Sequence, residues 1–242
     1  MLSIVLKRHD FRESDQFITL FTDESGKREA LARGVKKITS KLSAYLTPFF
    51  IIETELVPGK ETDLLIMAQP YQVFRNIPVD FEKMSVVGYA VQLVDALTVL
   101  KHPEPRIFSL LASFLAACDG GGHDSETVVA SFTLKLLALL GWQPELMKCL
   151  VCGKVLGNEP GQFSVAEGGV RHATCPSVRQ PVAGVPDVFL SSADRIIFQK
   201  LLTGSWDEQV KKVSEQILSL SYVYFLYHQQ GSTKIGRFRL TV

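Results

Sequence analysis

A chain of 242 residues with 46% hydrophobic and 21% charged side chains is long enough and apolar enough to bury a real core, which excludes a disordered protein. Its formal net charge of +1 excludes an overall field that would gather polyanions, so any nucleic-acid surface has to come from local clustering of cations. No uninterrupted apolar run of about eighteen residues or more occurs, so no segment is suited to cross a membrane as a helix.

The opening residues, "MLSIVLKRHD", turn charged after six positions, too early for the apolar stretch of an export signal. The expectation is a cytoplasmic protein, and in that reducing compartment its four cysteines point to metal or redox chemistry rather than disulfides.

In chain order, the first eighty or so residues read as strands. "LSIVLK", "QFITLFT", "REALARGV", "LTPFFIIETELV" and "DLLIMAQPYQV" are β-rich runs, separated by turn signals such as "DESGK" and "PGKETD". Five such strands suit a small closed barrel; the OB-fold is one candidate and an SH3-like barrel another. After Pro78 the period changes. From a capping Asp80, Met84, Val87, Val91, Val94 and Leu97 recur at helical steps until "KHPEP". A second helix is expected from about Arg106 to Cys118, ended by "DGGG", and a third from Asp124 or Ser125 to a stop at Gly141. Further on, Ser191 and Asp194 read as a capping box opening a helix to Thr203. The last helix is expected to start near Trp206, with Val210, Val213, Ile217, Leu220, Tyr224 and Tyr227 as its apolar stripe. Gly231 would end it, before a basic tail around Arg237.

The most specific motif lies between the third and fourth helices. Cys149 and Cys152 form C-x-x-C, followed at once by Gly153, whose freedom at positive φ suits a metal knuckle. His172 and Cys175 repeat the spacing after a gap of nineteen residues, so two pairs can close a tetrahedral Cys3His site suited to Zn2+. A redox C-x-x-C sits where a strand enters a helix, whereas this one follows a helix and "GWQPELMK". Four ligands leave no open position for water, so the metal reads as structural: a staple for an excursion whose longest apolar run is "FSV". Arg171, next to His172, carries no weight in this reading. Cys118 reads as a buried small hydrophobe.

The second feature is charge. "KREALARGVKKITSK" holds Lys27, Arg28, Arg33, Lys36, Lys37 and Lys41 against the single acid Glu29. Such a run on a barrel suits phosphate tracking, although lysines also guard solvated strand edges. Arg8 and Arg12, interleaved with acids in "KRHDFRESD", are secondary candidates. Phe17, Phe21, Tyr45, Phe49, Phe50 and Phe74 are aromatics able to stack on bases or fill the barrel. No G-x-S-x-G, P-loop, H-E-x-x-H or G-x-G-x-x-G is present, so the chain reads as a binding protein rather than an enzyme.

Taken together, "IVLKRHDFRESDQFITLFTDESGKREALARGVKKITSKL", "LLALLGWQPELMKCLVCG" and "GGVRHATC" resemble the RecO family of bacterial recombination and DNA-repair mediators over nearly the whole chain. His172 stands where the family commonly has cysteine, and imidazole is a competent ligand in its place. The resemblance implies an α+β architecture: an N-terminal five-stranded OB-fold barrel over residues 1–79, a helical domain over 80–148 and 186–242, and a zinc-binding insertion over 149–185. It also implies binding of ssDNA and dsDNA, strand annealing, and loading of RecA with RecR onto ssDNA coated by single-stranded-DNA-binding protein (SSB). The implied partners are DNA, RecR and the acidic, apolar SSB tail, with no membrane and a nucleoid-associated location. Two other classes stay open: a zinc-dependent enzyme on nucleic acid, with Glu145 or Glu167 activating water, and an interaction scaffold without DNA binding.

Overall fold

The computed structural model describes residues 1–47, 50–60, 62–177, 187–206 and 212–229. The expected Phe49, Val210, Gly231 and the basic tail around Arg237 lie outside them. The chain divides into two compact units, Met1–Gly121 and Gly122–Val242.

The first unit is built on β1 (Leu2–Asp10), β2 (Gln16–Thr22), β3 (Gly26–Ala32), β4 (Phe50–Val57) and β5 (Asp63–Val73). They form a closed barrel in the order β1-β2-β3-β5-β4, in which β3 and β5 run parallel and the other neighbours antiparallel. That is the topology of an OB-fold, and it removes the strand-edge problem by closure. Alternation selects the interior: Val5, Ile18, Leu20, Ala30, Ala32, Ile52, Leu65 and Ala68 share one core, to which the β3–β4 connection adds Val35 and Leu46. β1 and β2 also bury Ile4, Leu6 and Phe21, whose side of the barrel is covered by helices. These are α1 (Phe81–Leu97) against β1 and α2 (Pro105–Gly120) against β2.

The two helices therefore belong to the compact unit of the barrel, which continues past the boundary at residue 79 suggested by the change of period. The period reports where strands stop, whereas compactness follows the apolar surface that α1 and α2 cover. Asp80 caps α1 by accepting from the backbone of Glu82 (2.9 Å) and Lys83 (3.2 Å). Pro105 opens α2, where its missing N–H costs nothing.

In the second unit, α3 (Ser125–Leu139) packs against α4 (Ser192–Thr203) and α5 (Glu215–His228). α3 is buried almost all round, so the buried hydroxyl of Ser131 is satisfied by the Leu201 carbonyl at 2.6 Å. The capping box at Ser191 and Asp194 is present as expected. The last helix starts later than the sequence suggests, at Glu215 rather than near Trp206, because the Ser214 hydroxyl caps it by accepting from the Ile217 N–H.

Three short strands, β6 (Gly161–Ser164), β7 (Gly169–His172) and β8 (Val188–Leu190), form a sheet in the order β7-β6-β8. This excursion, whose longest apolar run is only "FSV", nonetheless has a core of its own. Leu156, Phe163, Val165 and Val170 are 0–1% exposed. The Phe163 ring meets Phe198 of α4 at 5.6 Å and Tyr224 of α5 at 5.7 Å, both edge-on. Removing such a ring typically costs about 3–5 kcal/mol.

Gly26, which opens β3, shows how tightly the first unit closes on itself. Its φ is +66°, and a Cβ there would lie 1.8 Å from the His102 carbonyl oxygen. The approach is held by the Lys101 N–H donating to the Lys27 carbonyl at 2.8 Å. Gly26→Ala is expected to destabilise the protein by about 1–3 kcal/mol, read as a lower denaturant midpoint with an unchanged slope.

Candidate metal centre and candidate nucleic-acid surface

The two ligand turns are built by local backbone bonds. The Cys149 N–H donates to the Lys154 carbonyl and the Gly153 N–H to the Cys149 carbonyl, both at 2.9 Å, with Gly153 at φ +72°. His172 is the last residue of β7, and the Cys175 N–H closes the second turn on the His172 carbonyl at 3.0 Å. The structure brings all four predicted ligands together: the donor atoms of Cys149, Cys152, His172 and Cys175 lie within 4.8 Å of one another. His172 turns Nδ1 inward, 3.4 Å from the Cys152 sulfur, and Nε2 outward, 3.9 Å from the Glu159 carboxylate. Three sulfurs and one imidazole nitrogen at this spacing can hold one tetrahedral metal ion, and a carboxylate behind the histidine is the usual outer partner.

The two acids considered as water-activating bases each have local partners. The Glu145 carboxylate accepts from the backbone of Met147 (2.8 Å) and Lys148 (3.0 Å), and Glu167 accepts from the Ser177 hydroxyl.

The thiols are electrostatically unequal. Burial opposes ionisation of Cys149, yet the backbone N–H groups of Cys152, His172 and Val151, with the Cys152 thiol, pull it down to about 6. Cys175 is pushed up to about 11 by desolvation and then by the neighbouring sulfurs of Cys149 and Cys152. One sulfur is thus ready as thiolate, while Cys175 needs the charge of the ion.

Sequence reasoning missed two residues of this module. Arg195 of α4 is 1% exposed, and its guanidinium donates to the carbonyls of Leu146 (3.1 Å), Gly157 (2.8 Å) and Glu159 (2.7 Å). Arg171, given no weight from sequence, is 7% exposed and donates to Gln162 (2.6 Å), to the Cys175 carbonyl (3.2 Å) and to Asp187. Isolated arginines in a polar segment carry no signal of burial.

The basic run divides into two groups. Lys27 donates to the Asp95 carbonyl at 2.6 Å and pairs with its carboxylate at 3.3 Å, and Arg28 pairs with Asp63; both cations are largely covered. Lys36 pairs at 2.7 Å with Asp10 on the surface. The Asp10 carboxyl is held below its usual value by Gln16 first and then by Lys36, with a smaller contribution from Arg8. Arg33, Lys37, Lys41 and Arg12 are exposed, and none is in an ion pair among the described residues.

Arg12 and Arg33 meet in a cleft of about 750 Å³ at the barrel mouth, with Phe11, Phe17, Leu31 and Lys60 among its walls. The rings of Phe11 and Phe17 are 4.5 Å apart, and the Arg12 guanidinium lies 4.9 Å from the Phe11 centroid. Phe11 and Lys60 were not singled out from sequence. Their signal was position, since they lie in the β1–β2 and β4–β5 connections that flank the β2–β3 face. Of the proposed stacking aromatics, Phe17 reaches this cleft. Phe21 and Phe74 are buried, while Tyr45 and Phe50 pack on the barrel core.

Comparison with known proteins adds two family models. The one described as Recombination protein O N terminal matches residues 2–74, and Recombination protein O C terminal matches residues 78–234. The chain is also similar to the DNA repair protein RecO of Desulforamulus reducens, 32% identical over 173 residues, 72% of this chain and 67% of that one. The protein of that name from Symbiobacterium thermophilum is 30% identical over 203 residues, 83% and 78% of the two chains. The one from Desulfitobacterium hafniense is 29% identical over 228 residues, 92% and 82%.

Because the Cys175 thiol must lose its proton to bind, metal uptake is expected to release protons, and affinity to rise with pH from about 6 to about 9. Competition titration with a chromophoric chelator across that range checks the slope. A flat profile would mean that Cys175 is not a ligand.

Proposed function

The chain belongs to the RecO family, and from that membership we propose that it is a DNA-repair protein, a recombination mediator that binds DNA and performs no covalent chemistry. It works in the cytoplasm at the nucleoid. It binds single- and double-stranded DNA, anneals complementary strands, and with RecR helps load RecA onto strands coated by SSB. The acidic, apolar tail of SSB docks on the helices. One Zn2+ is held by Cys149, Cys152, His172 and Cys175. Four protein ligands fill its coordination, so the ion supplies structure and no activated water.

The observation that carries the DNA reading is the cleft at the barrel mouth. OB barrels take oligonucleotides on the β2–β3 face between the β1–β2 and β4–β5 loops, and there this barrel gathers Arg12, Arg33, Lys60 and the half-exposed Phe11. Unpaired cations displace counterions from phosphates, and an exposed ring offers a sequence-tolerant stacking surface. Lys37, Lys41 and Arg8 extend the positive surface beyond the cleft, and Lys36 joins it by exchanging Asp10 for phosphate. Lys27 and Arg28, which the run of charge also nominated, serve the fold through Asp95 and Asp63. With a net charge of +1, attraction is local, so binding depends strongly on salt.

Arg12→Ala and Arg33→Ala are each expected to weaken binding to all single-stranded sequences alike and to flatten the salt slope by about 0.7 per lost contact. Fluorescence titration of a labelled oligonucleotide at several salt concentrations measures both quantities. Arg28→Ala is expected instead to lower the unfolding midpoint. If both cleft variants keep wild-type affinity and slope, DNA does not enter the cleft. Metal analysis of protein purified without chelators is expected to find about one zinc per chain, and none in Cys152→Ser.

A further inference from the structure

We propose that Arg171 and Arg195 are positioning residues that hold the Cys/His turns in place before any ion arrives, so that the module folds without metal and takes the ion into a preformed site. The Cys149 turn and the loop after it present the carbonyls of Leu146, Gly157 and Glu159. All three are gathered by one guanidinium, that of Arg195, which is 1% exposed and anchored on α4. The second turn presents the Cys175 carbonyl, held by Arg171, which also ties β7 to Gln162 of β6 and to Asp187 at the entry to β8. Arginine suits both places, because a planar fork can serve several acceptors at once.

The two turns are also tied to each other without the ligand side chains. The Leu150 N–H, inside the first turn, donates to the Val170 carbonyl of β7, and the Val170 N–H donates to the Glu145 carbonyl, each at 2.9 Å. Beneath them lies the core of Leu146, Leu156, Phe163, Val165 and Val170, each no more than 1% exposed. A zinc finger that folds only on its metal has little else to hold it. This module has a hydrophobic core, a three-stranded sheet and two buried guanidinium groups, and none of these passes through the four ligand atoms.

The test uses the full chain. Wild-type protein is stripped with a chelator, followed by hydrogen exchange over residues 145–172, and then titrated with Co2+. The metal-free protein is expected to keep slow exchange at Leu150, Phe163 and Val170, and Cys152→Ser is expected to do the same while binding no Co2+. Loss of that protection in either would overturn the proposal, because folding would then depend on the ion. Arg171→Ala is expected to weaken Co2+ affinity about 10–100-fold and to distort the tetrahedral Co2+ absorption. If Arg171→Ala loses protection even when saturated with metal, the frame outranks the ion, as proposed. Unchanged affinity and spectrum in Arg171→Ala would remove Arg171 from the positioning role.

Discussion

Closure of the barrel depends on a short seam. β3 and β5 meet in parallel through Ala30 opposite Asp63 and Leu31 opposite Leu64, whereas β4 and β5 pair along most of their length. The Arg28–Asp63 ion pair lies at this seam, with both side chains largely covered. The cleft at the barrel mouth depends on the same closure, because Leu31 and Leu64 both line it. A cation that looked like a ligand for phosphate thus has its use in the fold, and by closing the seam it gives Arg12 and Arg33 a fixed wall. Were the seam to open, the aromatic and cationic groups would remain but would no longer share one concave surface.

The second unit solves a related problem. Its loops must end in specific turns, and loops expose carbonyls that a buried setting cannot leave unpaired. Arg195 answers three of them and Arg171 answers Cys175. Burying a guanidinium is costly unless its donors find partners; the terminal nitrogens of Arg195 find three backbone carbonyls, and those of Arg171 find the Cys175 carbonyl and the side chains of Gln162 and Asp187. The arrangement makes the shape of the turns and the burial of the arginines mutually dependent.

Much of this was legible in the sequence where the signal is local. β2 and β5 coincide with apolar runs read directly, and the caps at Asp80, Asp124 and Ser191 act within three residues of themselves. The ligand set was legible for the same reason, since each pair of ligands is an x-x turn. What stayed hidden is contact at a distance. Lys27 finds Asp95 across 68 residues, Arg28 finds Asp63 across 35, and Arg195 reaches Leu146 across 49. No periodicity reports such pairs. β6, β7 and β8, at three or four residues each, are too short to show alternation, so the core under the metal turns was invisible until Phe163 was seen against Phe198 and Tyr224.

Ion pairing also sets which parts of the basic run are available. Net charge is almost balanced, so the cations of the run differ chiefly in whether a carboxylate faces them. The cations of the Arg28–Asp63 and Lys27–Asp95 pairs are largely covered, so breaking either pair costs more than breaking an exposed one. Both cations are therefore committed to the fold. The Lys36–Asp10 pair is exposed, water and salt screen it, and opening it costs little. Arg12 and Arg33 have no carboxylate to leave among the described residues, and they stand beside the one exposed ring of the cleft, Phe11. The cations thus grade from committed to exchangeable to open, and the open ones stand at the barrel mouth beside Phe11.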